Sequence, residues 1–107
     1  MSTNSVIALP ADIASRSAIR RVLAQRTIAG TDVVIDATAV TRHGSAGIDE
    51  LVKQLLGHTP LQRVIVVNAN ASFQHALTVI HRVRTRPEKT FLLLFKQVPA
   101  EALLRSA

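Results

Sequence analysis

A single α/β domain with a four-stranded, mostly parallel sheet and about four helices is the fold this sequence predicts. Three observations carry it. Short apolar runs rich in Val, Ile, Leu and Phe recur along the 107 residues, and unbroken runs of this kind mark strands covered on both faces. Between them lie segments whose apolar residues recur at helical spacing, leaving one stripe to bury. Their alternation sets direction, because each helical crossover returns the chain to the same end of the sheet. The expected order is β-α-β-α-β-α-β-α.

Residues 5–9 form a strand closed by Pro10. Ser15 then caps a helix with Ile19, Val22 and Leu23 on one face, and Gly30 ends it as a C′ residue does. Residues 32–40, with Val33, Val34 and Ile35 in succession, read as a central strand. The second helix has the clearest period: Ile48, Leu51, Val52, Leu55 and Leu56 make one buried stripe. Asp49, Glu50, Lys53 and Gln54 are expected on its wet face. Residues 63–69 form a third strand, and Asn70 or Ser72 caps a helix buried through Phe73, Ala76, Leu77, Ile80 and Val83 or Arg84, ended by Arg86-Pro87. A fourth strand over 91–95 and a short helix over 100–104, begun by Pro99, complete the order.

Composition narrows the chemistry. Nearly half of the residues are apolar and 19% are charged, which suits a folded core. Cysteine is absent, excluding disulfides and thiolate metal sites and fitting a reducing interior. No apolar run reaches the ~18 residues that span a bilayer, so a cytoplasmic setting with no membrane partner is expected. The net charge is +6 and the pI about 11.4. That balance bears on partners and solubility rather than on fold.

The turn Gly44-Ser45-Ala46-Gly47, between the central strand and the second helix, is the candidate functional segment. It places a small hydroxyl among glycines at a helix start, where backbone N–H groups lack intrahelical partners. The plainest role for Ser45 is to cap the helix. Asp36, at the end of its strand, reads as a carboxylate bonded to loop amides.

Three segments resemble the STAS domain, the family of sulfate transporters and anti-sigma factor antagonists, and the related bacterial STAS-like domains. Residues 6–15 look like the strand and loop before the family's first helix. Residues 33–40 look like its central strand with its acidic residue, and residues 44–48 look like the Asp-Ser-Ser/Thr-Gly-Leu motif that opens its second helix. Gly44 stands where the motif has Asp, and Ala46 where it has a second hydroxyl. The resemblance implies a non-enzymatic regulatory module with Ser45 as the phosphorylation candidate. It further implies partner binding through Asp36, Arg42, His43, Gly44, Ser45, Ala46, Gly47, Ile48 and Asp49. The implied partner is a regulatory protein, anti-sigma-factor-like or a histidine-kinase-like ATPase.

Catalysis has little support. Asp36, His43 and Ser45 are the residue types of a hydrolytic triad, but no G-x-S-x-G elbow is present and His43 is too near Ser45 in sequence to orient against it. His43, His58, His75 and His81 lack a zinc spacing, and neither a Walker A loop nor G-x-G-x-x-G occurs, so no metal and no cofactor are expected. The alternative to protein docking is nucleic-acid binding through Arg82, Arg84, Arg86 and Lys89, which would follow phosphates and weaken with salt. No recognised nucleic-acid motif accompanies that cluster, and the chain has only three aromatic residues for base stacking. The same cations also suit the negative end of a helix dipole.

Overall fold

In a computed structural model, the described residues are 5–25, 28, 30–58 and 61–99. The elements in chain order are β1 (Ser5–Ala8), β2 (Asp12–Ile13), α1 (Arg16–Ala24), β3 (Asp32–Asp36), β4 (Arg42–His43), α2 (Ser45–Leu56), β5 (Arg63–Val67), α3 (Ala71–Arg84) and β6 (Leu92–Lys96). The apolar runs become one parallel sheet ordered β1-β3-β5-β6, with Val6 level with Val34, Val34 with Ile65 and Ile65 with Leu94. The α/β class and the parallel sheet thus match the sequence reading, with three helices alternating among the described residues. The expected fourth helix, over 100–104, lies outside them.

The strand order decides where the core sits. Every crossover moves the chain one strand further in the same direction, and right-handed crossovers of that kind put all their helices on one face. Ile7, Val33, Ile35, Val64 and Val66 point into that face and are buried against Ile19, Ile48, Leu51, Val52, Leu55, Phe73 and Leu77. Burying each such side chain contributes about 1.5–3 kcal/mol. Val6, Val34, Ile65 and Leu94 point the other way and are only half-buried, so the expectation of strands covered on both faces is corrected.

Several boundaries move for local reasons. Ser15 does cap α1, accepting from the Ala18 N–H at 3.1 Å, but the helix stops at Ala24, well before Gly30, which adopts φ 80°. Strand β3 ends at Asp36 because its carboxylate accepts from the Thr38 N–H at 2.9 Å, folding residues 37–40 into a turn. Strand β5 ends where Asn68 takes φ 59°, a left-handed conformation that Asn tolerates. Asn70 rather than Ser72 caps α3, accepting from the Phe73 N–H at 2.8 Å. Of the two residues expected to close the buried face of α3, Val83 is 77% exposed and Arg84 is exposed and paired with Asp49; the helix packs on the core through Phe73, Ala76, Leu77 and Ile80. Strand β6 runs one residue later than expected.

Candidate docking site at the start of the second helix

The segment before α2 is held by a structure with no sequence periodicity to announce it. Two loops at the carboxyl ends of the sheet strands cross and pair in parallel as β2 and β4, Asp12 level with Arg42 and Ile13 with His43. The Ala11 carbonyl accepts from the N–H groups of Thr41 and Arg42 at 2.9 and 3.0 Å. Ile13 is fully buried beneath this pairing. His43 Nε2 shares a 3.1 Å hydrogen bond with Ser72 Oγ, and its ring packs 5.6 Å from that of Phe73. The platform is therefore tied to α3, and β2 also packs against α1. The carboxyl ends of parallel strands, where these loops gather, are where open α/β sheets bind their ligands.

On this platform Gly44, not Ser45, is the N-cap of α2, and it offers no side-chain bond to the helix. The first intrahelical bond runs from the Ile48 N–H to the Gly44 carbonyl at 3.1 Å, which places Ser45 at the first helical position with its residue exposed. The capping role expected of Ser45 is thus corrected: its hydroxyl stands free of the cap. Gly44 and Gly47 are explained by packing inside the domain. A Cβ on Gly44 would lie 2.8 Å from the Ala14 carbonyl oxygen, and one on Gly47 would overlap the Ile13 carbonyl oxygen. Gly47 and Ile48 are buried, so of the expected docking residues these two support the surface from behind. Arg42, Ser45 and Ala46 are exposed, and His43 and Gly44 are half-buried.

One turn further along, the expected wet face is an ion-pair network. Asp49 Oδ2 accepts from Arg16 Nη1 at 2.8 Å, and its two oxygens take Arg84 Nε and Nη2 at 2.5 and 2.6 Å. The Arg84 hydrogen bonds, then those of Arg16, hold the Asp49 carboxyl down at about 2 against a usual 3.8. Glu50 is 1% exposed, bonded by Gln54 Nε2 at 2.8 Å and Arg20 Nη2 at 3.4 Å. Gln54 first, then Arg20, lowers its pKa. The reason Glu50 is buried is positional: α2 lies between α1 and α3, so α1 covers a flank that the stripe rule leaves to solvent.

Asp36 belongs to a different knot. Besides the Thr38 amide it accepts from Thr38 Oγ1 at 2.6 Å. Thr38 Oγ1 in turn accepts from Asn68 Nδ2 at 3.0 Å, and Asn68 Oδ1 accepts from the Val98 N–H at 2.8 Å. This chain ties the ends of β3, β5 and β6 and reaches none of residues 42–49. Of the basic cluster, Arg84 is committed to Asp49, while Arg82, Arg86 and Lys89 are exposed. Among the described residues no three His, Cys, Asp or Glu side chains gather to hold a metal ion, and no helix is long and apolar enough to cross a membrane.

Sequence reasoning missed Arg16, Arg84, Glu50 and Ser72 as parts of this neighbourhood. The signal within reach was the polar residue Glu50 beside the Leu51-Val52 stripe, opposite a helix carrying Arg16 and Arg20 at i, i+4 spacing. Comparison of the chain with protein-family models, curated proteins and solved structures finds no match.

Proposed function

We propose that this domain is a non-enzymatic interaction module that docks a regulatory protein on the exposed start of α2, with Ser45 as a phosphorylation switch. One observation carries the reading. Ser45 is an exposed hydroxyl at the first position of a glycine-capped helix whose backing is fixed by backbone contacts to Ile13 and Ala14. A partner can therefore approach the turn closely, and the hydroxyl has no structural duty that modification would break. The likeness of residues 44–48 to the STAS motif adds the class of partner: an anti-sigma-factor-like protein or a histidine-kinase-like ATPase.

The electrostatics support a switch that spares the fold. Phosphate adds about −1.5 to −2 charges, and the positive end of the α2 dipole tolerates them. Asp49 and Glu50 repel it less than their position suggests, since Arg16, Arg84 and Arg20 already neutralise them. At a docked interface the same charge must lose its water, and with no cation opposite, that cost exceeds the margin of a moderate interface. Capture from host lysate with wild type, Ser45→Ala and Ser45→Asp tests the reading. Wild type and Ser45→Ala retain a common partner that Ser45→Asp loses. If no captured protein is sensitive to Ser45→Asp, the switch is refuted.

A further inference from the structure

The far edge of the sheet carries a second surface, independent of Ser45. Strand β6 pairs only with β5, so its outer side is open among the described residues. The Leu92 N–H bonds the Gln62 carbonyl and the Asn68 N–H bonds the Lys96 carbonyl, both at 2.8 Å. In a parallel ladder this phase turns both backbone groups of Leu92, Leu94 and Lys96 towards β5 and those of Leu93 and Phe95 outward. Phe91 lies in the same outward phase, and its carbonyl is closed off by His81, whose Nε2–H donates to it at 2.9 Å. A groove of about 600 Å³ runs beside this edge, lined by Thr78, His81, Phe91, Leu92, Leu93 and Phe95 among others. Leu92 is 55% exposed there.

An open apolar edge is a template for another strand, and the surrounding charge selects which one. Arg82, Arg86, Lys89 and Lys96 are exposed and form no ion pair among the described residues. Between Leu51 and Pro99 the only acidic residue is Glu88. A second copy paired edge to edge would set these cations against their own counterparts, since a two-fold interface apposes like with like. We propose that the β6 edge binds an extended acidic segment of a partner protein as an added strand. Its backbone meets the outward groups of Leu93 and Phe95, its apolar residues enter the groove, and its carboxylates face Lys89, Lys96, Arg82 and Arg86.

The test uses the full chain and a seven-residue amidated peptide alternating glutamate with valine, against the same peptide with lysine for glutamate. Amide exchange of Leu93 and Phe95 is read by nuclear magnetic resonance. The acidic peptide slows both amides about tenfold or more, the lysine peptide does not, and the effect weakens with salt. Lys89→Glu with Lys96→Glu, two exposed unpaired sites, reverses the preference while leaving the spectrum of the remaining core unchanged. Equal protection by both peptides, or by neither, overturns the proposal. So does protection that rises with protein concentration alone, which assigns the edge to a second copy. Slow exchange in dilute free protein that is lost on deleting residues 100–107 assigns it to the chain's own terminus and overturns it likewise. Ser45→Asp leaves the peptide response unchanged, so this surface and the α2 site stand or fall separately.

Discussion

Replacing Gly47 by alanine tests the claim that the start of α2 is braced rather than merely exposed. The added methyl group overlaps the Ile13 carbonyl oxygen and lies 2.9 Å from the Ile13 carbonyl carbon and 3.2 Å from that of Ala14. All three obstacles are backbone, so no rotamer change relieves them. The β2–α1 link has to retreat by roughly 1 Å, against a fully buried Ile13. Overpacking costs about 1–3 kcal/mol, and a backbone clash belongs at the upper end. Alanine returns about 1 kcal/mol of helix propensity, leaving a net loss of about 2 kcal/mol. For a domain of this size that lowers Tm by roughly 8–16 °C. Gly57→Ala is the internal control. Its Cβ would lie 3.5 Å from the nearest atom and its φ is −72°, so the substitution fits and stabilises by about 0.4–1 kcal/mol. Urea unfolding of both variants gives the comparison directly. Were Gly47→Ala within about 0.5 kcal/mol of wild type, the brace between Ile13 and α2 would be wrong.

Asp49 makes stability depend on acid. Because its folded pKa of about 2 lies below the usual 3.8, its contribution is present above about pH 4 and is lost as pH falls towards 2. Its arginine partners are partly exposed, which limits the loss to about 1–2 kcal/mol after screening, and Asp49→Asn flattens the urea midpoint over that window. Ser45→Asp changes unfolding stability by less than about 0.5 kcal/mol, as a negative charge near a helix start is tolerated, even where it abolishes partner capture. A loss above about 2 kcal/mol would show that Ser45 holds the fold together. Asn68→Ala costs about 2–3 kcal/mol in thermal or urea unfolding, since it puts a Cβ-bearing residue of poorer tolerance at φ 59° and removes the bonds to Thr38 and Val98. Asn68→Gly recovers the backbone part and loses less; equal losses would place the whole cost in the two hydrogen bonds.

The sheet was legible in the sequence because parallel strands repeat one local signal, an apolar run between turn residues, and because helical crossovers leave little freedom in direction. Ser15 and Asn70 were legible as caps for the same reason: a cap is made by one side chain and an amide three residues later. What escaped was each feature that depends on two segments meeting. The β2–β4 pairing has two residues on each strand, too short for any period, and exists only because loops after β1 and β3 reach the same end of the sheet. Glu50 looked wet because a helical wheel knows one neighbour, whereas α2 has the sheet below it and a helix on each side. The cap is Gly44 rather than Ser45, a one-residue shift that local preference opposes, at a position where a Cβ would lie 2.8 Å from the Ala14 carbonyl oxygen.

That shift gives the candidate site its meaning. A serine serving as N-cap accepts a helix N–H with its side-chain oxygen, and modifying it would break that structural bond. Gly44 takes the cap position without a side chain, since even a Cβ there would crowd Ala14, and this leaves the Ser45 hydroxyl uncommitted. Gly44 and Gly47, on either side of Ser45, are thus explained by packing inside the domain. They let α2 sit close against the β2–α1 link, and the closeness of that packing frees the one hydroxyl between them. The arginines would complete the separation of fold from the proposed switch: by pairing with Asp49 and Glu50, Arg16, Arg20 and Arg84 leave the start of α2 able to accept a new negative charge without opposing the helix behind it.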